Sequence, residues 1–415
     1  MKRVVNTATI VVFIVADIRK YGILLRMVRL KLTVGIVVAL FLLACRIGSN
    51  ASQLPSDSSS ESLSASVVTC GVGATFSALP LLLTDLGDGK IVPLGNLNPP
   101  DHTFPTNHIY FYLKTTGSNN TTVNVPVYAP GDITITSISS STNLTANRTD
   151  YSITFYLCSQ LQGYFYHVAS LSSALTEAFN NGSGSCTTYN PGSGDYTRCN
   201  KSVSVTAKAG DQIGTAGGAT TSSLALDFGL YDSRITALTY ANDARTMSNN
   251  AQFDDFHVVC PIDYFNSTVK AQLEAQLNRA AGATPLCGSV DQDQAGTAQG
   301  KWFEPSAASP PTSESGNLAL AHSNTDPTIP VFSIGNSTLG TGAFTFVAVD
   351  SGAVNRDFSG VTADGQLYCY QALSMPGIIY LLQMTDSKSL KIERQSAAIC
   401  PAAPAFTNAA MSFVR

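Results

Sequence analysis

The sequence predicts a mainly β protein, a first domain of short strands followed by a second strand set that suffices for a small β-sandwich or barrel. Three observations carry that prediction. Charged residues make up only 13% of the 415, about half the share usual in soluble proteins, and Ser, Thr, Asn and Gly fill the gap. Short runs of β-branched and aromatic residues alternate with polar ones at period two, the pattern of half-buried strands. Turn-forming Gly, Pro, Asn and Asp separate those runs. The same composition excludes a coiled coil and a charge-rich disordered chain. A polytopic membrane protein is excluded too, since no apolar run of about 18 residues follows the opening stretch.

The amino terminus carries two apolar stretches. Residues 8–16 are too few to span a bilayer and are followed by Asp17, Arg19 and Lys20; residues 32–44 follow Arg26, Arg29 and Lys31. A basic segment and then a short apolar core is the layout of a secretory signal peptide. Its end, Leu42-Leu43-Ala44-Cys45, resembles the lipobox of bacterial lipoproteins, a resemblance that implies lipidation of Cys45 and a membrane anchor. Residues 1–45 therefore read as a signal peptide with lipobox, for which Met27 offers an alternative start. An uncleaved anchor ending near Ala44, or plain secretion, would export the chain equally. Residues 46–69 form a polar linker. The expected location is the cell envelope, on the outer side of the cytoplasmic membrane.

Cysteine usage agrees with export. Apart from Cys45 there are eight, an even number that suits an oxidising compartment. No C-x-x-C pair points to a zinc ribbon or a thioredoxin-like site. Local spacing favours Cys186–Cys199, Cys260–Cys287 and Cys369–Cys400, which leaves Cys70–Cys158 by elimination. Seven of the 24 basic residues and one of the 28 acidic ones precede Cys45, so the remainder carries a net charge of −10. That balance, without a basic patch interleaved with aromatics, argues against a nucleic-acid partner.

Along the exported part, strands are expected at His108-Ile-Tyr-Phe-Tyr-Leu113, at residues 123–128, 132–137, 151–157, 163–168 and 202–206, and at Leu224-Ala-Leu-Asp-Phe-Gly-Leu230. A helix is expected over residues 171–179 behind Ser170 as N-cap. A second spans residues 268–281 after Asn266-Ser267, with Val269, Leu273 and Leu277 on one face and Gly282 as its stop. Residues 302–315, rich in Ser and Pro, read as a crossing between domains. Further strands follow at residues 344–349, 366–370, 378–383 and 389–393. The expected organisation is a β domain over 70–260, a helix-containing connector over 261–315, and a small β domain over 316–415.

Several features of the first domain, in order, resemble the lysostaphin/LytM-type zinc endopeptidases that cut peptidoglycan cross-bridges. His108-Ile-Tyr-Phe-Tyr112 sits where the family has H-x-G-x-D. Val127-Tyr-Ala-Pro-Gly131 is similar to its V-x-A-P turn, and Tyr166-His167-Val168 before Leu171-Ser172 to its Y-x-H-L-S strand. Ala209-Gly-Asp-Gln-Ile-Gly-Thr-Ala-Gly-Gly218 is similar to its V-G-Q-x-I-G-x-x-G hairpin, and Leu226-Asp-Phe-Gly-Leu230 falls where it closes with H-L-H-F-E-V. The resemblance covers roughly residues 100–240 and implies the duplicated-hybrid-motif β-sandwich or barrel.

Carried over residue by residue, the resemblance makes His108 a metal ligand and His167 a catalytic histidine. Tyr112 stands in place of the second ligand, an Asp. Asp227 replaces the last ligand, a His, and can still bind metal; Ala225 replaces the other assisting histidine. Zinc that acidifies its water needs about three protein ligands, so the site reads as degenerate, with zinc as its cofactor if it functions and no cofactor otherwise. His102, six residues before His108, is near enough to loop in, with Pro105 restricting its approach. Tyr110, Tyr112 and Tyr166 are candidates to line a groove for peptidoglycan, glycan or cell-wall peptide by stacking.

Other patterns carry less chemistry. His257 beside Asp254 and Asp255, and His322 near Asp326, read as solvated loops. Gly214, Gly217 and Gly218 lack the Gly-Lys-Ser/Thr of a phosphate loop, and no Gly-x-Ser-x-Gly supports a serine hydrolase. The expected function is a binding or scaffolding module in an exported lipoprotein, a pseudo-metallopeptidase. The alternatives are a divergent zinc cell-wall endopeptidase and a structural surface protein.

Overall fold

Strands account for most of the regular structure, as the period-two pattern predicts. The structure is a computed structural model that describes residues 69–71, 75–116, 121–190, 194–218, 224–246, 254–309, 311, 313–371 and 374–415. The expected signal peptide, the lipidation site Cys45 and all but the last residue of the polar linker lie outside the described residues. Among the described residues no helix is long and apolar enough to cross a membrane. All of them belong to one structural unit, Ser62–Arg415.

Among the described residues the first part of the chain supplies twelve strands: β1 (Leu86–Val92), β2 (His108–Leu113), β3 (Thr115–Thr116), β4 (Thr121–Thr122), β5 (Val125–Tyr128), β6 (Ile133–Asn143), β7 (Arg148–Cys158), β8 (Leu161–Leu171), β9 (Ser183–Tyr189), β10 (Tyr196–Ala207), β11 (Gln212–Ala216) and β12 (Ala225–Asp232). The main sheet is antiparallel in the order β1-β2-β12-β8-β7-β6-β10-β9, with β11 pairing both β5 and β8. No sheet closes on itself among the described residues, so the expected barrel is corrected to open antiparallel sheets. The reason lies at the edges. All residues of β9 are exposed. The opposite edge strand, β1, is covered by Gln276 and Asn278, which bond the backbone of Ile91 at 3.0 and 2.8 Å.

Every residue of β12 is buried, as expected of a strand with neighbours on both edges and packing on both faces. Beneath the sheet, Phe76, Phe155, Phe165, Phe228 and Phe265 interlock at centroid distances of 4.8–6.4 Å, adding directional ring contacts to apolar burial.

Two helices form close to where the sequence places them. In α1 (Ser173–Asn181) the N-cap is Ser172, not Ser170, its side chain accepting from the Leu175 amide. In α2 (Ser267–Glu274) Asn266 caps Val269 as expected. The expected run to residue 281 stops at Glu274, because Gln276 and Asn278 spend their backbone groups on Ile91 instead of continuing the helix.

The rest of the chain forms two four-stranded sheets. One is β13 (Gly300–Trp302), β14 (Leu318–His322), β15 (Pro330–Ile334) and β16 (Gly342–Thr345); the other is β17 (Tyr368–Gln371), β18 (Ile378–Asp386), β19 (Ser389–Ser396) and β20 (Met411–Val414). Their side chains share one core. Phe332 of β15 stacks on Tyr380 of β18 at 5.1 Å and meets Tyr370 of β17 edge-on at 5.0 Å. The four expected disulfides are all present: Cys70–Cys158, Cys186–Cys199, Cys260–Cys287 and Cys369–Cys400.

Truncating Phe332 removes the ring on which both small sheets rest. Phe332→Ala is expected to cost about 3–5 kcal/mol in denaturant unfolding. Val347→Ala, at a side chain 62% exposed, should stay within about 0.5 kcal/mol.

Candidate functional site

Strand register builds the site. β12 lies between β2 and β8, and Asp227 stands opposite Tyr110 on one side and Tyr166 on the other. Side chains two residues apart on a strand share a face, so His108 joins Tyr110, and Tyr164 joins Tyr166. His108 faces Gly229 across the ladder. A Cβ at Gly229 would fall 2.0 Å from the Tyr164 ring, so only glycine lets that ring lie across β12 and reach the residues around His108.

His167 follows Tyr166 and by alternation belongs to the opposite face. Its backbone is left-handed, with φ of +64°, where β8 carries an extra residue against β7 between the pairs Phe165–Ile153 and Val168–Tyr151. A bulge of this kind re-aims a side chain. For a residue with a Cβ the conformation costs on the order of 1–2 kcal/mol. The consequence is that His167 joins the face that carries Asp227.

The three side chains converge. His108 Nε2 and His167 Nε2 each lie 3.4 Å from the same oxygen, Asp227 Oδ2. His108 and Asp227 are both buried. The Nδ1 of His167 meets Asp150 Oδ2 at 2.7 Å. The Nδ1 of His108 meets Asn107 Oδ1 at 3.1 Å. The Asn107 amide is oriented by its own partners: its Nδ2 donates to the Tyr231 hydroxyl at 3.0 Å and to Asp255 Oδ1 at 3.3 Å, and its Oδ1 accepts from the Tyr164 hydroxyl at 2.7 Å. An amide oxygen only accepts, so His108 Nδ1 carries the hydrogen and Nε2 presents a lone pair. That Nε2 and Asp227 Oδ1 are buried without a hydrogen-bond partner.

Burial, then the nearby His102 and His167, hold the His108 imidazole well below its usual range, so it is neutral. Burial pushes the Asp227 carboxyl up to about 7, with His167 pulling it down and Asp150 pushing it up. Burial alone would lower His167, but the hydrogen bond to Asp150 and the charges of Asp227 and Asp150 more than offset this and leave it at about 9. Burial and the Asp227 charge raise both Tyr110 and Tyr166, which therefore keep their hydroxyl protons.

The centre opens into a cleft of about 410 Å3. Tyr166 lines it, whereas Tyr110 packs on His108 at 4.6 Å and Tyr112 continues that stack at 6.1 Å. His102 does loop in, its ring 5.5 Å from that of His108. The cleft also takes in residues from far along the chain, among them Arg245, Asp255, Lys301, Phe303 and Glu314. Lys301 is buried; its Nζ lies 3.2 Å from Asp255 Oδ2 and 4.4 Å from the centre of the Tyr240 ring. Glu314 accepts the Phe104 amide at 2.7 Å.

Sequence reasoning places His108, His167 and Asp227, and the structure brings all three together. It misses Asn107, Asp150, Arg245, Lys301 and Glu314. Asn107 borders His108, and a polar neighbour of that kind is a readable signal. The rest arrive through tertiary pairing and leave no local pattern. The other two histidines pair outside the centre, His257 with Asp254 at 2.7 Å and His322 with Asp357 at 2.9 Å. Among the described residues no group of three or more His, Cys, Asp or Glu side chains is arranged so that it could hold a metal ion. No protein-family model and no curated protein matches the chain.

Glu314 gives a pH signature. Burial raises its carboxyl from 4.5 to about 7, with the Phe104 amide and Lys301 acting the other way. The native state therefore holds a proton that the unfolded chain has released, and stability falls as pH rises from about 4.5 to about 7. The component is on the order of 3 kcal/mol. Glu314→Gln should remove it and flatten that part of a pH series of denaturant melts.

Proposed function

We propose that the chain is an exported cell-envelope protein with a divergent duplicated-hybrid-motif domain of the lysostaphin/LytM type. In this reading His108, His167 and Asp227 hold a divalent cation, and the cleft around it binds a cell-wall peptide or glycan. The observation that carries the reading is two imidazole Nε2 atoms set at equal distance from one buried carboxylate oxygen, with both Nδ1 atoms already engaged.

As placed, no group of three such donors among the described residues could hold a metal ion, so zinc would bind here only as His167, held protonated at about 9, gives up its proton. Metal-binding histidines commonly pass their other ring N–H to a carboxylate or carbonyl, which fixes the tautomer; Asp150 does this for His167 and Asn107 for His108. Donors on neighbouring corners of a tetrahedral zinc site lie about 3.3–3.4 Å apart, from bond lengths of about 2.0–2.1 Å, and the two imidazole–carboxylate separations here are 3.4 Å. The lone pair of His108 aimed at a carboxylate, and Asp227 Oδ1 without a donor, are unfavourable when buried; a cation between them relieves both. Bound there, zinc would act as a Lewis acid and lower the pKa of a water on its open side.

His167 thus becomes the third donor that Tyr112 does not supply. The chain's own residues then divide the work. Asn107 and Asp150 orient the two imidazoles, and Tyr166 gives the cleft an apolar face with a hydroxyl. Ala225 leaves no imidazole to take the proton from water where the related peptidases have one, so the primary reading is binding with slow or absent turnover. A divergent endopeptidase is the second reading, favoured by the open side of the cleft and by His102 beside His108. A purely structural surface role is disfavoured by the buried polar atoms that lack partners. The four disulfides support export, and attachment through the amino-terminal segment completes the proposal.

Protein purified without chelator should carry about one zinc per chain, and fewer than about one in five chains loaded rejects the centre. Asp150→Asn should weaken zinc binding about 10–100-fold in a chelator competition, while His167→Ala and Asp227→Ala should abolish it. Release of new amino groups from purified muropeptides by the zinc-loaded protein would select the endopeptidase reading over the binding one.

A further inference from the structure

Arg245 stands in the same cleft as the His–Asp centre, at the end of a short 3-10 turn, Asp243–Arg245. Its guanidinium lies over the Phe303 ring, 5.4 Å from the ring centre. Its Nη1 is buried with no hydrogen-bond partner. An arginine side chain has no acceptor atom to offer, so each buried N–H of this group needs an acceptor from the protein or from a ligand. Leaving a polar donor buried and unpaired costs on the order of 1–3 kcal/mol, and more when it is charged. Stacking on Phe303 orients the planar donor fork without consuming it.

Of the other charged residues outside the His–Asp centre, Asp101 is exposed, whereas Asp255, Glu314 and Lys301 are already committed. Asp255 takes Lys301 and the Asn107 amide, and Glu314 takes the Phe104 amide. Lys301 in turn is held by Asp255 and the Tyr240 ring. Among the described residues Arg245 has no ion-pair partner and is the cleft cation with a donor to spare. The His–Asp centre and this guanidinium are thus two features of one cleft, the first suited to a cation and the second to an anion.

We propose that Arg245 is a carboxylate-binding subsite, and that the ligand of this cleft is a peptide bearing a free carboxylate which Arg245 reads by charge-assisted hydrogen bonds. The carboxylate belongs either to the peptide terminus or to an acidic side chain; the chemistry is the same. This rests on the reading of the cleft as a peptide site and specifies its ligand. Arg245 acts as a specificity residue and takes no part in holding the cation.

The probe is the stem tetrapeptide L-Ala-γ-D-Glu-L-Lys-D-Ala in three forms: free acid, carboxyl-terminal amide, and the form whose Glu α-carboxyl is amidated. Each is titrated calorimetrically into the full-length protein, with Arg245→Gln and Arg245→Met compared against the parent. The free acid should bind at least about 10-fold more tightly than one of the amides, and the weakened amide names the carboxylate that is read. Both variants should lose that preference while binding the weakened amide as the parent does. Their melting temperatures should fall by no more than the few degrees that loss of the Phe303 contact costs, since no hydrogen-bond partner of the buried Nη1 is lost. Equal binding of all three forms, binding of none, or an undiminished preference in the variants overturns the subsite. Zinc content measured on the same samples reports separately on the His–Asp centre, so failure of the subsite and failure of the centre are distinguishable.

Discussion

A carboxylate buried on the central strand, flanked on both sides by imidazoles, is the constraint from which the first domain is best understood. Burial of an isolated charge is costly enough that a protein neutralises it, pairs it or places a metal beside it. At Asp227 burial pushes the carboxyl up to about 7, and the nearest cationic group is His167. The geometry that brings His167 there is itself unfavourable, a left-handed backbone at a residue with a side chain. Such strain survives only where surrounding structure fixes it, and it concentrates at functional sites. Here the surroundings are the β7–β8 bulge and the bond to Asp150.

The orientation of the second imidazole depends on residues much further along the chain. His108 is set by Asn107, Asn107 by Tyr231 and Asp255, and Asp255 by Lys301 at the start of the second group of sheets. Buried polar chains of this kind specify one arrangement when every member is satisfied. Phe104 against Phe303, at 5.1 Å, adds an apolar contact beside that chain. The later sheets therefore do more than follow the first: they complete the wall of the cleft and supply the buried cation that holds Asp255 in place.

Much of this organisation is legible in the chain. β2 is read to the residue, because His108-Ile-Tyr-Phe-Tyr-Leu113 is wholly apolar or aromatic and bounded by turn formers. The cysteine pairs are read from spacing, three of them closing loops short enough to be local. β1 is missed because Gly87-Asp-Gly-Lys90 looks like a turn, and its pairing to β2 is long-range. β13 is missed because its three residues sit next to a Ser- and Pro-rich stretch. Of the site, His108, His167 and Asp227 are singled out in the sequence by a resemblance, and strand pairing sets both imidazoles beside the carboxylate. The turn at His167 is not readable, since a bulge depends on the register of the neighbouring strand and leaves no mark in a histidine codon. Arg245, Lys301 and Glu314 escape for the same reason: only tertiary packing gives them their neighbours.

The central claim is that both imidazoles and the carboxylate grip a single cation. X-ray absorption fine structure of the zinc-loaded protein tests it most directly. The account predicts two imidazole ligands and one carboxylate on the zinc, with one imidazole lost in His167→Ala if any zinc is retained. A spectrum with one imidazole or none in the parent protein, or one unchanged by that substitution, would contradict it.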